Sequence, residues 1–371
     1  MKKKMCFLMF VATGAITFLL VYGNFNAQAL ECTPGKPCNL VFSTFYKEDF
    51  TAVKVANWLM DEITKRSKGG VVFKKYYSGS LIGSLDTMSG CGKGMADLVI
   101  DSPLYSPDRV PMFIIETVCF LTDDPWVHGK ALNELVATED ILKKEWKDQN
   151  VHYFYSNSVT PCQLALRKKI AKMEELKGLK IRAIGPQAAA FQAMGAIPVG
   201  IPFPEIYDAL SKRTIDGVDT FPFDIGVIYK LHEVAPYWVK NPIGCFGVQT
   251  LLMNANTYNG LPSDIRKLFD EVAEEASDRY IEEAMTNDKK YMDIFIKDKG
   301  KIVELTPEES QKWINVGKEP AAKWWLDMVA KKGLDGKPTL KHLQDLIEKW
   351  KKTGKSKYSS VFEYSRMKYG Q

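Results

Sequence analysis

The sequence predicts an α/β protein. Short β-branched runs alternate with amphipathic helical stretches through the first two thirds of its 371 residues. The last third is mainly helical, and no repeat of solenoid period interrupts the pattern. A 46% hydrophobic and 26% charged composition is that of an ordinary globular chain, long enough for two domains.

The first segment stands apart from this pattern. Lys2, Lys3 and Lys4 precede an uncharged apolar run over residues 5–22, and Ala27-Gln28-Ala29 supplies small residues for a peptidase. Residues 1–29 are expected to be a cleaved signal peptide, with Leu30 as the first mature residue and the periplasm as destination. The alternative is an uncleaved membrane anchor. Glu31, before Cys32, argues against a lipoprotein. Removing three lysines leaves a net charge of 5 − 3 = +2, too small to suggest a nucleic-acid partner or an anionic membrane.

Export changes the meaning of the cysteines. Cys32 and Cys38 flank a turn-rich Thr-Pro-Gly-Lys-Pro segment and are expected to pair. Cys91, Cys119, Cys162 and Cys245 are scattered and read as buried apolar filler. No cysteine or histidine spacing suggests a metal, and nothing suggests a cofactor.

Along the mature chain, residues 39–45 read as a strand. Phe50, Val53, Ala56, Met60 and Ile63 then share one helical face. Lys65 and Arg66 suit the negative helix end, and Gly69-Gly70 the stop. Residues 71–77 and 97–100 read as further strands, with a loop and short helix between them. Residues 128–146 are helical, with Leu132, Leu135 and Val136 on one side, and a second β-rich unit begins near Val151. Residues 179–184 form its clearest strand. Pro186 and Gly195 bracket the following helix of about ten residues. A long stripe follows through Ile265, Phe269, Val272, Ala276, Tyr280 and Ala284. Thr306-Pro307-Glu308-Glu309 is a capping box. Trp313, Trp324 and Trp325 are expected to pack on the sheets, and part of the basic tail 351–371 to be mobile.

Catalytic patterns fail. The four histidines form no HExxH or HxH, the Gly-rich segment near Lys93 lacks the phosphate-loop spacing, and no GxSxG exists. One position has stronger chemistry. Arg182 lies at a strand end just before a helix start, where a planar, permanently charged fork can grip a carboxylate. An ordinary surface ion pair is the plain alternative.

The surrounding segments carry a resemblance. Residues 177–182 (Lys-Gly-Leu-Lys-Ile-Arg), 194–199 (Met-Gly-Ala-Ile-Pro-Val), 202–210 (Pro-Phe-Pro-Glu-Ile-Tyr-Asp-Ala-Leu) and 215–219 (Ile-Asp-Gly-Val-Asp) resemble the DctP-type solute-binding proteins of TRAP transporters. So do the loop at 79–83, the turn at 94–97 and the Leu-Pro helix start at 261–264. The likeness covers about residues 40–290.

It implies a two-lobed periplasmic binding protein-like fold with hinge strands and a long lobe-spanning helix. Residues 30–158 plus 246–285 would form the first lobe, and 159–245 plus 286–371 the second. It implies capture of a small organic anion, without catalysis, by a monomer that delivers it to TRAP membrane permease subunits. A sensory subunit of the same fold is the alternative reading; an exported hydrolase or lyase has no motif to support it. The resemblance makes Arg182 the carboxylate clamp and Phe203 a ligand-packing ring. Where the family reads Asp-Gly-Gln-Glu-Asn-Pro, this chain has Val218, Asp219, Thr220 and Phe221 after Asp216-Gly217. Thr220 and Phe221 therefore replace an amide with a less polar wall, and Gln163 stands near where a second arginine is expected. From the first lobe, Phe45, Tyr46, Asp101 and Ser102 lie at strand ends and are expected to complete the pocket.

Overall fold

The computed structural model describes residues 30–370; the expected signal peptide lies outside them. Among these described residues, eleven strands form two sheets. β1 (Cys38–Thr44), β2 (Val71–Tyr76), β3 (Leu98–Asp101), β4 (Val151–Ser158) and β10 (Gly247–Asn254) make a five-stranded sheet in the order β2-β1-β3-β10-β4. β5 (Gln163–Leu166), β6 (Lys180–Arg182), β7 (Ile197–Val199), β8 (Gly217–Phe221), β9 (Tyr237–Lys240) and β11 (Lys301–Val303) make a six-stranded sheet in the order β11-β9-β5-β8-β6-β7. Each sheet with its helices is one lobe.

The chain passes between the sheets from β4 to β5 and from β9 to β10. The two passages meet where the Val159 N–H donates to the Phe246 carbonyl at 3.0 Å. It passes a third time on the helix Ser263–Lys297, whose 35 residues span about 50 Å at 1.5 Å per residue, enough to serve both lobes. The stripe read from the sequence is buried along it, from Ile265 and Phe269 to Tyr280 and Ala284. Its core is continuous with both lobes: Phe42, Phe50 and Leu59 from the first, and Phe221, Phe223 and Trp238 from the second.

Local signals explain most element ends. The helix Thr51–Arg66 ends in Lys65 and Arg66, and Gly69 adopts φ +82°, the left-handed turn that glycine accepts without cost. Cys32 and Cys38 are joined by a disulfide. Thr306 caps the helix Pro307–Ala330 by accepting the Glu309 N–H at 3.2 Å. The reciprocal half of that capping box is diverted: the Glu309 carboxylate accepts the Met173 N–H at 3.0 Å.

Other expectations need revision. The helical stretch 128–146 is two helices, Pro125–Thr138 and Asp140–Asp148, broken at an extended Glu139. β6 is only three residues long, because Gly185 already opens the next helix, Gly185–Ala193. Residues 286–371 are expected in the second lobe. The helix Lys337–Lys352 instead packs on Pro125–Thr138 of the first, where Glu134 accepts from Lys349 Nζ (2.6 Å) and Trp350 Nε1 (2.9 Å). Trp313 and Trp325, on one helix, serve different lobes: Trp313 faces Phe191, and Trp325 Nε1 donates to the Pro111 carbonyl at 3.0 Å. The tail is docked through the helix Val361–Tyr369. Phe362 packs on Phe223, and Asp293 of the long helix accepts Tyr364, Lys368 and Tyr369 at 2.9, 2.7 and 2.5 Å.

Candidate functional site

In open parallel sheets, ligands sit outside the carboxyl ends of the strands, where loops diverge and backbone groups are free to point outward. β1 and β3 run parallel in one sheet, as do β6, β7 and β8 in the other. Phe45 and Tyr46 follow β1, and Asp101 and Ser102 end and follow β3. Arg182 ends β6, Phe203 follows β7, and Phe221 ends β8. Both sets of strand ends thus converge on the space between the lobes.

Arg182 is only 3% exposed. Its Nε donates to the Ile201 carbonyl at 3.1 Å, which fixes the plane of the guanidinium. Burial lowers its pKa from the ordinary arginine value, opposed by Tyr105, Asp219 and Tyr46 nearby. Asp219 is itself held by Asn241 Nδ2, 2.5 Å from its Oδ1. The arginine is therefore an oriented group inside the protein, not a solvated surface charge.

The opposite wall is aromatic. The Phe45 and Tyr46 rings lie 4.1 Å apart between centroids, and Tyr105 meets Phe45 edge-on at 5.9 Å. Tyr105 reaches across to the second lobe, where its hydroxyl accepts the Phe203 N–H at 3.2 Å, and it also hydrogen-bonds the Arg182 side chain. Phe203 turns edge-on to Tyr229 at 4.8 Å. Lys47 of the first lobe sits over the Tyr229 ring at 4.5 Å and donates to the Ile228 carbonyl at 3.3 Å. Burial raises the Tyr46 pKa well above the ordinary value, with Tyr105, Tyr229 and Asp101 adding to it; a hydrogen bond with Ser102 acts the other way. Asp101 is buried, and desolvation pushes its carboxyl up to about 7 despite hydrogen bonds from the backbone of Ser102 and Met88.

Several buried polar atoms have no protein partner. They include Ser43 Oγ on β1, Asp101 Oδ2 on β3, Gln163 Oε1 on β5 and both side-chain amide atoms of Gln249 on β10. Such atoms are costly unless a ligand or water completes them.

The structure thus brings Arg182, Phe203, Tyr46 and Ser102 into one connected cluster through Tyr105. Gln163 is buried on β5, its Nε2 donating to the Pro161 carbonyl at 2.6 Å. Phe221 departs from the expected ligand-facing role. It is fully buried edge-on to Trp238 at 5.3 Å, so the aromatic gain at this position enlarges the core beside the long helix. Thr220 lies on β8; its side chain is outside the described residues. Tyr105 and Tyr229 are not marked by any motif in the sequence. The only signal was Pro103, which turns the chain after β3 and so brings Tyr105 over the cleft.

The histidines are engaged elsewhere: His128 with Ser158, His152 stacked on Tyr258, His232 with Asp298 and His342 with Glu139. Among the described residues no cluster suited to a metal is present, and no helix is long and apolar enough to cross a membrane.

Relatives agree with this arrangement. A solute-binding protein of Albidiferax ferrireducens is 25% identical over 299 residues, 78% of this chain and 84% of that protein. The C4-dicarboxylate-binding periplasmic protein DctP of Vibrio cholerae is 26% identical over 84% of this chain and 93% of its own length. A crystal structure of a TRAP solute-binding protein from Rhodoferax ferrireducens, holding copurified benzoate, superposes with a TM-score of 0.78 at 25% identity, covering 85% of this chain and 99% of that one. The sequence model of the bacterial extracellular solute-binding proteins, family 7 (DctP), matches residues 42–327. The two lobes, the crossings between them and this match together show that the chain belongs to the DctP family of TRAP-type extracellular solute-binding proteins.

Proposed function

We propose that this protein captures a small organic anion between its lobes and delivers it, chemically unchanged, to an ion-driven TRAP permease. The observation that carries the reading is Arg182: a buried guanidinium, oriented by the Ile201 carbonyl, at a strand end facing the other lobe. A carboxylate there would receive charge-assisted hydrogen bonds of about 1.5–3 kcal/mol. The rings of Phe45, Tyr46, Tyr105, Phe203 and Tyr229 favour an acid with a flat apolar body. The benzoate held by the Rhodoferax ferrireducens relative is an acid of that shape. Asp101 and Gln249 supply polar groups for a further substituent of the ligand. In this reading the protein acts in the periplasm, after removal of residues 1–29, and as a monomer.

Mass spectrometry of small molecules released from the purified protein tests this reading. The expected species is a carboxylic acid near one per chain. A neutral sugar or a cation bound at that stoichiometry would contradict it.

A further inference from the structure

The first-lobe helix Thr51–Arg66 begins without a local cap. Phe50 occupies the N-cap position, no side chain of that segment caps the helix, and its first turn has no acidic residue. Unpaired N–H groups at such an end must find an acceptor, most of all when buried, and Thr51 is 2% exposed.

The acceptor comes from the other lobe. Asp224, on the helix Phe223–Ile228 that follows β8, is 173 residues away in sequence. Its Oδ2 accepts the Thr51 N–H at 3.3 Å and also the Thr51 hydroxyl. The hydroxyl in turn accepts from Asn287 Nδ2, on the long helix, at 2.9 Å. Lys54, one turn into the capped helix, holds Asn287 Oδ1 at 2.9 Å. On the other side, Asp288 accepts the Asp224 backbone N–H and the hydroxyl of Thr160, which lies in the passage from β4 to β5. Asp224, Asn287 and Asp288 are all 3% exposed or less. Burial raises the pKa of both carboxylates, and the charge of Asp224 raises that of Asp288 further. The contact therefore joins four parts of the molecule, first lobe, second lobe, crossing strand and long helix, which a hinge closure would move relative to one another.

We propose that Asp224 is an interlobe latch, a positioning residue that supplies the missing cap of the Thr51–Arg66 helix only when the lobes are together and so sets the population of the closed form. Asp224 does not touch the ligand; it acts on affinity through that population. The inference rests on the solute-capture reading for its effect on binding, but its conformational part does not depend on which ligand is bound.

The test uses the full mature chain, with benzoate as the probe acid. Ligand-free Asp224→Ala should give a larger radius of gyration by small-angle X-ray scattering than wild type. Its affinity for benzoate by calorimetry should fall about tenfold, as expected when the competent form drops to a tenth of its population. Asp224→Asn keeps an acceptor for both Thr51 donors, losing only the bond that Oδ1 accepts from the Ile225 N–H within its own helix, and should restore most of both readouts. A purely structural role would not give that rescue together with a change in size. Wild-type size and affinity within twofold in Asp224→Ala would overturn the latch. If Asp224→Ala does not fold by circular dichroism, Thr51→Ala decides: it retains the backbone N–H but loses the hydroxyl, and unchanged size and affinity would again overturn the proposal. If wild type itself does not bind benzoate, that outcome bears on the capture reading and the choice of acid; the ligand-free scattering comparison still decides the latch.

Discussion

Arg182 owes its capacity to bind an anion to three constraints that act on one side chain. β6 ends at it, the Ile201 carbonyl fixes its Nε, and Tyr105 and Asp219 lie close enough to offset the cost of its burial. Arg182→Ala is expected to weaken acid binding by about 10- to 100-fold in calorimetry, from the loss of roughly 1.5–3 kcal/mol. Arg182→Lys should recover little, because an ammonium cannot reproduce the planar fork. Asp101 contributes in a different way. Its folded value of about 7 lies above the ordinary 3.8, so the folded protein holds this proton more tightly than the unfolded chain. Stability contributed by the protonated form is present below pH 4 and is lost as pH rises through 7. Asp101→Asn should therefore add on the order of 1–3 kcal/mol of stability at pH 8, read as a higher melting temperature, and change little at pH 4. A destabilised Asp101→Asn at pH 8 would mean that the carboxylate has a stabilising partner.

Among elements, those with their own periodicity or punctuation were legible in the sequence. β1, β2 and β3, the helix Thr51–Arg66 and the long stripe of Ser263–Lys297 follow from alternation, helical spacing and glycine stops. Thr306 was legible as a cap because a threonine-proline pair before acidic residues states its own geometry. Thr306→Ala should lower stability by about 1 kcal/mol, read as a reduced urea midpoint with unchanged slope. What remained hidden depends on partners far along the chain. The break at Glu139 carries no glycine or proline. The docked tail depends on Asp293, and the latch joins residues 173 apart. Tyr105 and Tyr229 belong to a short turn and a helix end, where no repeat marks which side faces the cleft. Phe221 takes its ligand-facing reading from the family pattern at 216–221 and not from its strand; Trp238 of β9 takes its ring into the core.

In the whole molecule, two lobes share one core along the long helix and meet again across the cleft at two seams. One seam joins Tyr105 to Phe203, the other Lys47 and Thr51 to the helix at 223–228. A ligand seated between them stabilises only the folded form, so an acid at a hundredfold excess over its Kd should add about 2.7 kcal/mol to stability. Capture of an acid by Arg182 is tested by thermal unfolding of wild type and Arg182→Ala with matched pairs of acid and uncharged analogue, such as benzoate and benzamide, extended over a panel of carboxylates. At least one carboxylate should raise the wild-type melting temperature, its amide should not, and the rise should disappear in Arg182→Ala. Equal stabilisation by acid and amide, or an undiminished rise in Arg182→Ala, would contradict it.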